Sequence, residues 1–279
     1  MSMDLSFVGF RSGASVSKYD WRDVALYALA VGAGEHDLGY LLEQPPPKVL
    51  PTFGVLSTFA PVCEAGGKAG ATLPQMLHTA QRIELVKPFP AQGEIQSFAT
   101  IRGIWDMKIG ALMIFDTDTL VNGELACRTT WQLLLRGQGG FGGERPPQGL
   151  RVKPPKGKAP DFEVEVPTSR TQALLYRLTG DVNPIHSHPE VAKQMGFERP
   201  ILHGLCTYGI GARVALKELA GDDPARFKAF EAKFSKVVMP GDTLIVRGYV
   251  LDEPGQAAIT VTVKESGEEA ISNAVFEYR

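Results

Sequence analysis

The chain has 279 residues, 44% hydrophobic and 22% charged, with a formal net charge of −2. That length predicts two domains, and the apolar share is enough to fill a sizeable core. A near-neutral balance with interspersed acids and bases argues against a polyanion binder, so nucleic acid is not an expected partner.

The N-terminal stretch "MSMDLSFVGFRSGAS" has no long apolar core and no small-residue cleavage site, which predicts no secretory leader. No apolar run reaches the roughly 18 to 20 residues that a bilayer span requires. The terminal "FEYR" is not a peroxisomal address. Cys63, Cys127 and Cys206 form neither a disulfide framework nor zinc-ligand spacing. Together these features predict a cytoplasmic protein.

Three stretches of the first half return in the second. "DVALYALAVGAG" from Asp23 matches "QALLYRLTGDVN" from Gln172, with Tyr27 and Tyr176 offset by 149 (176 − 27). "LPTFGVLSTF" matches "RPILHGLCTY", and Pro51 and Pro200 keep the same offset (200 − 51). "VKPFPAQGE" resembles "SKVVMPGDT", with Pro90 and Pro240 offset by 150 (240 − 90). Three stretches holding nearly one offset predict two copies of one domain, residues 1–150 and 151–279.

Between them lies "RGQGGFGGERPPQGLRVKPPKGKAP", residues 136–160. Gly137, Gly139 and Gly142 satisfy the dinucleotide spacing, but two prolines follow where that motif requires a helix to seat the pyrophosphate. The stretch reads as a linker.

In the second copy, "SRTQALLYRLTG" reads as a short helix ending at Gly180. "HGLCTYGIGARVALKELAG" sets Leu205, Tyr208, Ala212, Ala215, Leu216 and Leu219 on one helical face, with Gly221 as the stop. Gly209, Gly211 and Ala212 would let this helix lie close to a sheet. "DTLIVRGYVL", "AAITVTVKE" and "AISNAVFEYR" read as strands. An α+β architecture follows, one long helix wrapped by an antiparallel sheet, occurring twice.

"TGDVNPIHSHPE", residues 179–190, concentrates the chemistry. Asp181 and His186 flank Pro184 in one turn, so a carboxyl and an imidazole can grip one water molecule, with Asn183 suited to orientation. The competing reading has Asp181 capping the following helix and Pro184 at its first turn. His188 reads as a helix-start residue, and His203 and Tyr176 as core. Gly204, heading the long helix, presents a backbone N–H where donors are unpaired and the helix dipole is positive.

"YRLTGDVNPIH" followed by "FERPILHGLCTYG" resembles the hydratase 2 signature of the MaoC-like dehydratases, a hot-dog-fold family, and the likeness covers nearly the whole chain. The resemblance implies a double hot dog. It also implies addition of water to a trans-2-enoyl-CoA, giving a (3R)-3-hydroxyacyl-CoA. No metal or cofactor is expected, since coenzyme A arrives with the substrate.

One live site per chain is implied, with Asp181, Asn183, His186 and Gly204 as its catalytic set. Subtracting 149 from Asp181, Asn183 and His186 lands on Gly32, Gly34 and Asp37, so the first copy lacks the set; nearby His36 reads as a loop residue. By the same resemblance, substrate contacts fall on Phe234, on His78 and Thr79 (where the family has His-Gly), on Lys108 and on Glu43. A homodimer is expected. Acyl-carrier-protein or specialised acyl substrates, and a silent acyl-CoA-binding module, are the alternatives.

Overall fold

The structure is a computed structural model and describes residues 3–72, 76–149 and 151–279. Among these residues ten antiparallel strands form one continuous sheet. The first half contributes β1 (Ser15–Tyr19), β2 (Met76–Leu85), β3 (Gly93–Asp106), β4 (Gly110–Val121) and β5 (Glu124–Arg136). The second contributes β6 (Phe162–Pro167), β7 (Phe227–Phe234), β8 (Thr243–Val250), β9 (Gln256–Val263) and β10 (Glu269–Tyr278). Their order is β1-β3-β4-β5-β2-β7-β10-β9-β8-β6, so each half mirrors the other across the β2–β7 junction.

The 149-residue offset acquires a physical meaning at that junction. Arg82 and Glu231 stand exactly opposite in the β2–β7 ladder and are themselves 149 apart. They therefore mark the axis about which the halves are related. On the sheet's outer face Arg82 bonds Glu277 at 2.9 Å and Glu231 at 3.5 Å. Tyr27 and Tyr176, another 149-residue pair, meet with ring centroids 6.4 Å apart. They belong to the short helices α1 (Trp21–Ala30) and α3 (Gln172–Tyr176).

The two halves fill their sheets differently. In the second, α5 (Gly204–Ala220) is the predicted long helix, and Gly221 closes it in a left-handed conformation at φ +63°. Its small residues serve two contacts. A Cβ on Gly211 would come within 3.3 Å of Val261 in the sheet. One on Gly209 would meet Val31 at 2.5 Å, so that glycine admits the first half rather than the sheet. In the first half the same place is shared by a 3-10 segment, Pro51–Thr58, and α2 (Phe59–Lys68). Thr58 Oγ1 donates to the Val55 carbonyl at 2.7 Å within the 3-10 segment. Such bonding to a preceding carbonyl competes with regular helix.

Part of the linker, residues 147–149, lies against the sheet. Pro147, Gln148 and Gly149 help to close a cavity of about 180 Å³ with Arg82, Arg102 and Glu231 on the outer face. Among the described residues, no helix follows within the linker where the glycine spacing requires one. Instead the Asp106 carboxylate accepts from the amides of Gly140 at 2.9 Å and Gly142 at 2.6 Å. The glycine-rich amides thus hold a carboxylate of the chain itself. Among the described residues no helix is long and apolar enough to cross a membrane.

Candidate active site

The turn after α3 builds the centre. A 3-10 turn, Arg177–Thr179, leads to Gly180, whose φ of +125° is open to glycine alone without strain, and the chain then reverses. A second 3-10 turn, Pro184–His186, follows with Pro184 at its start. Its cap is Asn183, whose Oδ1 accepts from the Ile185 amide at 3.2 Å. The capping role weighed for Asp181 therefore falls to Asn183. Asp181 Oδ1 accepts only from the nearby Asn183 amide, at 3.2 Å, among the described residues. Asn183 orients the turn that carries the pair. His188 precedes α4 (Pro189–Gln194) as its N-cap, without a side-chain capping bond.

Asp181, His186 and His203 bring ligand-capable atoms to within 4.8 Å of one another. His186 donates from Nδ1 to the Ile201 carbonyl at 2.9 Å, which leaves Nε2 as an acceptor. Burial pushes the Asp181 carboxyl above the ordinary aspartate range, outweighing the opposing pull of His186 and the Asn183 amide. Burial pushes His186 down, against Asp181 and its bond to Ile201. Both groups are driven toward their neutral forms.

The same three residues meet the reach of a metal site, yet two of them are stacked. His186 and His203 lie with centroids 3.8 Å apart and planes 26° from parallel. Imidazole lone pairs lie in the ring plane, so stacked rings direct them alongside one another rather than onto one ion. The geometry suits protons better than a cation.

Gly204 begins α5, and neither its amide nor that of Leu205 has an acceptor among the described residues. A Cβ on Gly204 would lie 3.4 Å from the Phe234 ring. Phe234, at the end of β7, meets His78 edge-on at 4.9 Å, and His78 stacks on Trp131 at 4.5 Å and 7°. Burial pushes His78 down to about 3. Phe234 and His78, the former from the second half and the latter from the first, thus join at the head of α5. Thr79 sits where the β2–β5 register shifts and donates to the Gln132 carbonyl at 3.0 Å.

The structure does not gather Lys108 and Glu43 into this group. Lys108 is exposed at the β3–β4 turn with φ +64°, its amide bonded to Asp106 at 2.6 Å. Glu43 is exposed on the loop before Pro51, with no hydrogen bond or ion pair among the described residues. His36 is a surface residue, its side chain 86% exposed.

Sequence reasoning missed three neighbours. Trp131 backs His78 from 53 positions away (131 − 78), beyond any local pattern. Cys63 on α2 feels the Asp181 charge, and its thiol is pushed up to about 11, chiefly by burial. His203 was read as core, which its 1% exposure supports, but it touches both members of the pair. Its place directly before Gly204 was the available signal.

Comparison with known proteins places the chain in a lineage. The model of the MFE-2 hydratase 2 N-terminal domain matches residues 17–137, and that of the MaoC like domain matches residues 151–272. The chain is 38% identical to 3-hydroxyacyl-thioester dehydratase Y of Mycobacterium tuberculosis, over 97% of this chain and 95% of that protein. It is 40% identical to enoyl-CoA hydratase ChsH3 of the same organism, over 82% and 83% respectively. A MaoC-like dehydratase from Phytophthora capsici superposes with a TM-score of 0.85 at 28% identity, covering 98% of each chain. Another Mycobacterium tuberculosis protein, described as a double hotdog, shares the fold alone, with a TM-score of 0.59 at 14% identity. With a double hot-dog sheet, a paired carboxyl and imidazole on one turn, and full-length relatives of this kind, the chain belongs to the MaoC-like dehydratase family of the hydratase 2 type.

Proposed function

We propose that the protein is a hydro-lyase of fatty-acid metabolism. It adds water to a trans-2-enoyl-CoA to give a (3R)-3-hydroxyacyl-CoA. The observation that carries this reading is the meeting of Asp181 with a His186 whose Nε2 is free, while burial favours the neutral form of each.

A water held between the two side chains attacks C3 of the enoyl thioester as His186 Nε2 takes its proton. Negative charge grows on the thioester oxygen, where the Gly204 amide is the proposed donor; one such donor typically lowers a barrier by ~3 kcal/mol. Asp181 in its protonated form then delivers a proton to C2. The protonated Asp181 carboxyl is restored when the proton on His186 returns through solvent, so the cycle consumes one water and nothing else. The chemistry calls for no metal or cofactor beyond the coenzyme A of the substrate. Phe234, His78 and Thr79 are the proposed acyl-CoA contacts near the site, with Lys108 and Glu43 as outer ones.

Purified protein given crotonyl-CoA tests the reading. Loss of the enoyl-thioester ultraviolet absorbance in the presence of a chelator, with an (R) product, supports it; an (S) product or no consumption overturns it. The relative named as a dehydratase favours examining the reverse direction too, and competition between carrier-protein-bound and CoA-bound substrates separates the thioester classes. A cytoplasmic location is part of the same reading, supported by three free cysteines. A homodimer is the expected state in solution, and light scattering measures it.

A further inference from the structure

We propose that His203 is a positioning residue that braces both members of the acid/base pair, its ring fixing the plane of His186 and its Nε2–H tying down the main chain of Asp181. The inference rests on the hydratase reading of the same site.

Among the described residues His186 has one side-chain hydrogen bond, the 2.9 Å bond from Nδ1 to Ile201. A ring held at a single atom still pivots about that bond. The His203 ring, 3.8 Å away and nearly parallel, closes off the pivot on one face. His203 also donates from Nε2 to the Asp181 carbonyl at 3.1 Å, fixing the backbone that carries the carboxyl. One side chain therefore sets the separation of the two groups.

His203 is itself held from behind. Its ring meets Tyr176 at 4.8 Å, and Tyr176 meets Tyr27 of the first half at 6.4 Å. All three are 1–2% exposed. A column of four rings therefore runs from α1, across the axis relating the halves, to the reacting imidazole. The titratable and charged groups facing His203 are His186, Asp181, Tyr176 and Arg177. Burial first, then His186, pushes His203 down to about 2, so it stays neutral and does not compete for the proton its neighbours exchange. Its Nδ1 has no partner among the described residues, which leaves the bond to Asp181 as its one polar tie.

Two substitutions divide the roles. His203→Gln keeps a donor toward Asp181 and removes the ring; His203→Phe keeps the ring and removes the donor. Loss of the brace by His203→Gln should lower kcat about 10- to 100-fold, the scale of a small misplacement of reacting groups. KM should stay within about threefold, and nitrogen NMR should show His186 becoming a mixture of tautomers with its titration moved up toward the ordinary histidine value. His203→Phe should lower kcat less and leave the His186 tautomer intact. Unchanged kcat and unchanged His186 signals in both variants, with only the melting temperature lowered, would overturn the proposal. So would a rise in KM that alone accounts for the loss.

The wild-type protein gives a reading that needs no variant. His186 should carry its proton on Nδ1 and His203 on Nε2 through neutral pH, and a His203 protonated on Nδ1 instead would overturn the tether. These NMR readings hold even if the protein turns over no enoyl-CoA, so failure of the hydratase reading and failure of the brace are told apart.

Discussion

Two turns 149 residues apart occupy equivalent places and have opposite chemistry. In the second half Asp181 and His186 face one another, partly buried and driven toward neutrality. In the first half Gly32, Gly34 and Asp37 stand at the matching positions. Asp37 receives Arg213 at 3.3 Å and Lys217 at 3.1 Å, both from α5. Burial alone would raise its pKa, but the Gly34 amide, Lys217 and Arg213 together hold it below the ordinary value. Gly32, at φ +83°, leaves room for Arg213, which a Cβ would approach to 3.3 Å. Gly54 replaces His203, and a Cβ there would strike Phe89 at 2.6 Å. A carboxyl without a cation can exchange a proton; a carboxyl clamped between two cations is a fastener. The duplicated turn keeps its shape and changes its use.

The sharpest way to break this contrast is to make one substitution on both sides. Asp181→Asn should cut kcat by about 10³-fold, within the range for a lost acid or base, without lowering the melting temperature. The sign follows from linkage. A raised carboxyl pKa in the fold means that ionisation costs stability as pH rises, and the amide escapes that cost. Steady-state kinetics beside calorimetry reads both.

Asp37→Asn should do the reverse. Removing one partner of a buried pair costs roughly 3–5 kcal/mol, and the Asp37 and Arg213 side chains are each 10% exposed. Lys217 at 46% exposure adds less. A loss of about 3 kcal/mol in denaturant unfolding, with kcat within about twofold, is the expected result. A large loss of turnover would show that the first turn still serves the reaction.

A smaller effect is in the pH dependence. With His203 held near 2 in the fold, the folded chain binds fewer protons than the unfolded chain below about pH 6.5. Stability should therefore fall as pH drops, by up to ~1.4 kcal/mol per pH unit from this residue. His203→Phe should flatten that slope between pH 6.5 and 5, as measured by urea midpoints; an unchanged slope would mean that His203 accepts a proton in the fold.

The smallest expected change concerns the junction. Arg82→Glu should cost about 1–2 kcal/mol by placing like charges among Glu231 and Glu277, and adding Glu231→Arg should recover most of it, read as a double-mutant cycle.

The pair on its turn was legible because it is local: Asp181, Asn183, Pro184 and His186 lie within six positions, and Gly204 heads a helix with a clear apolar face. The repeat was legible because the offset survives in Tyr27 and Tyr176, whose rings pack together. The long second helix followed from its periodicity. The first half's counterpart did not, since Pro51 and Gly54 break regular helix and only packing reveals how the 3-10 segment replaces it. The contacts around His78 depend on Trp131 and Phe234, brought together by strand pairing rather than by sequence spacing. The expected contacts at Lys108 and Glu43 rested on alignment to a family pattern, and both side chains point to solvent. The double duty of His203 could not be read from its type, because a core histidine and a brace share the same burial.

The guanidinium and carboxylate on the symmetry axis also tell the halves apart. If two copies of the first half met through the same ladder, Arg82 would face Arg82; two copies of the second would set Glu231 against Glu231. Each half therefore repels its own twin at the seam and accepts the other. Fusion of the repeats gave the sheet a polarity that a symmetric pair cannot possess, and with it a fixed side on which the live turn is found.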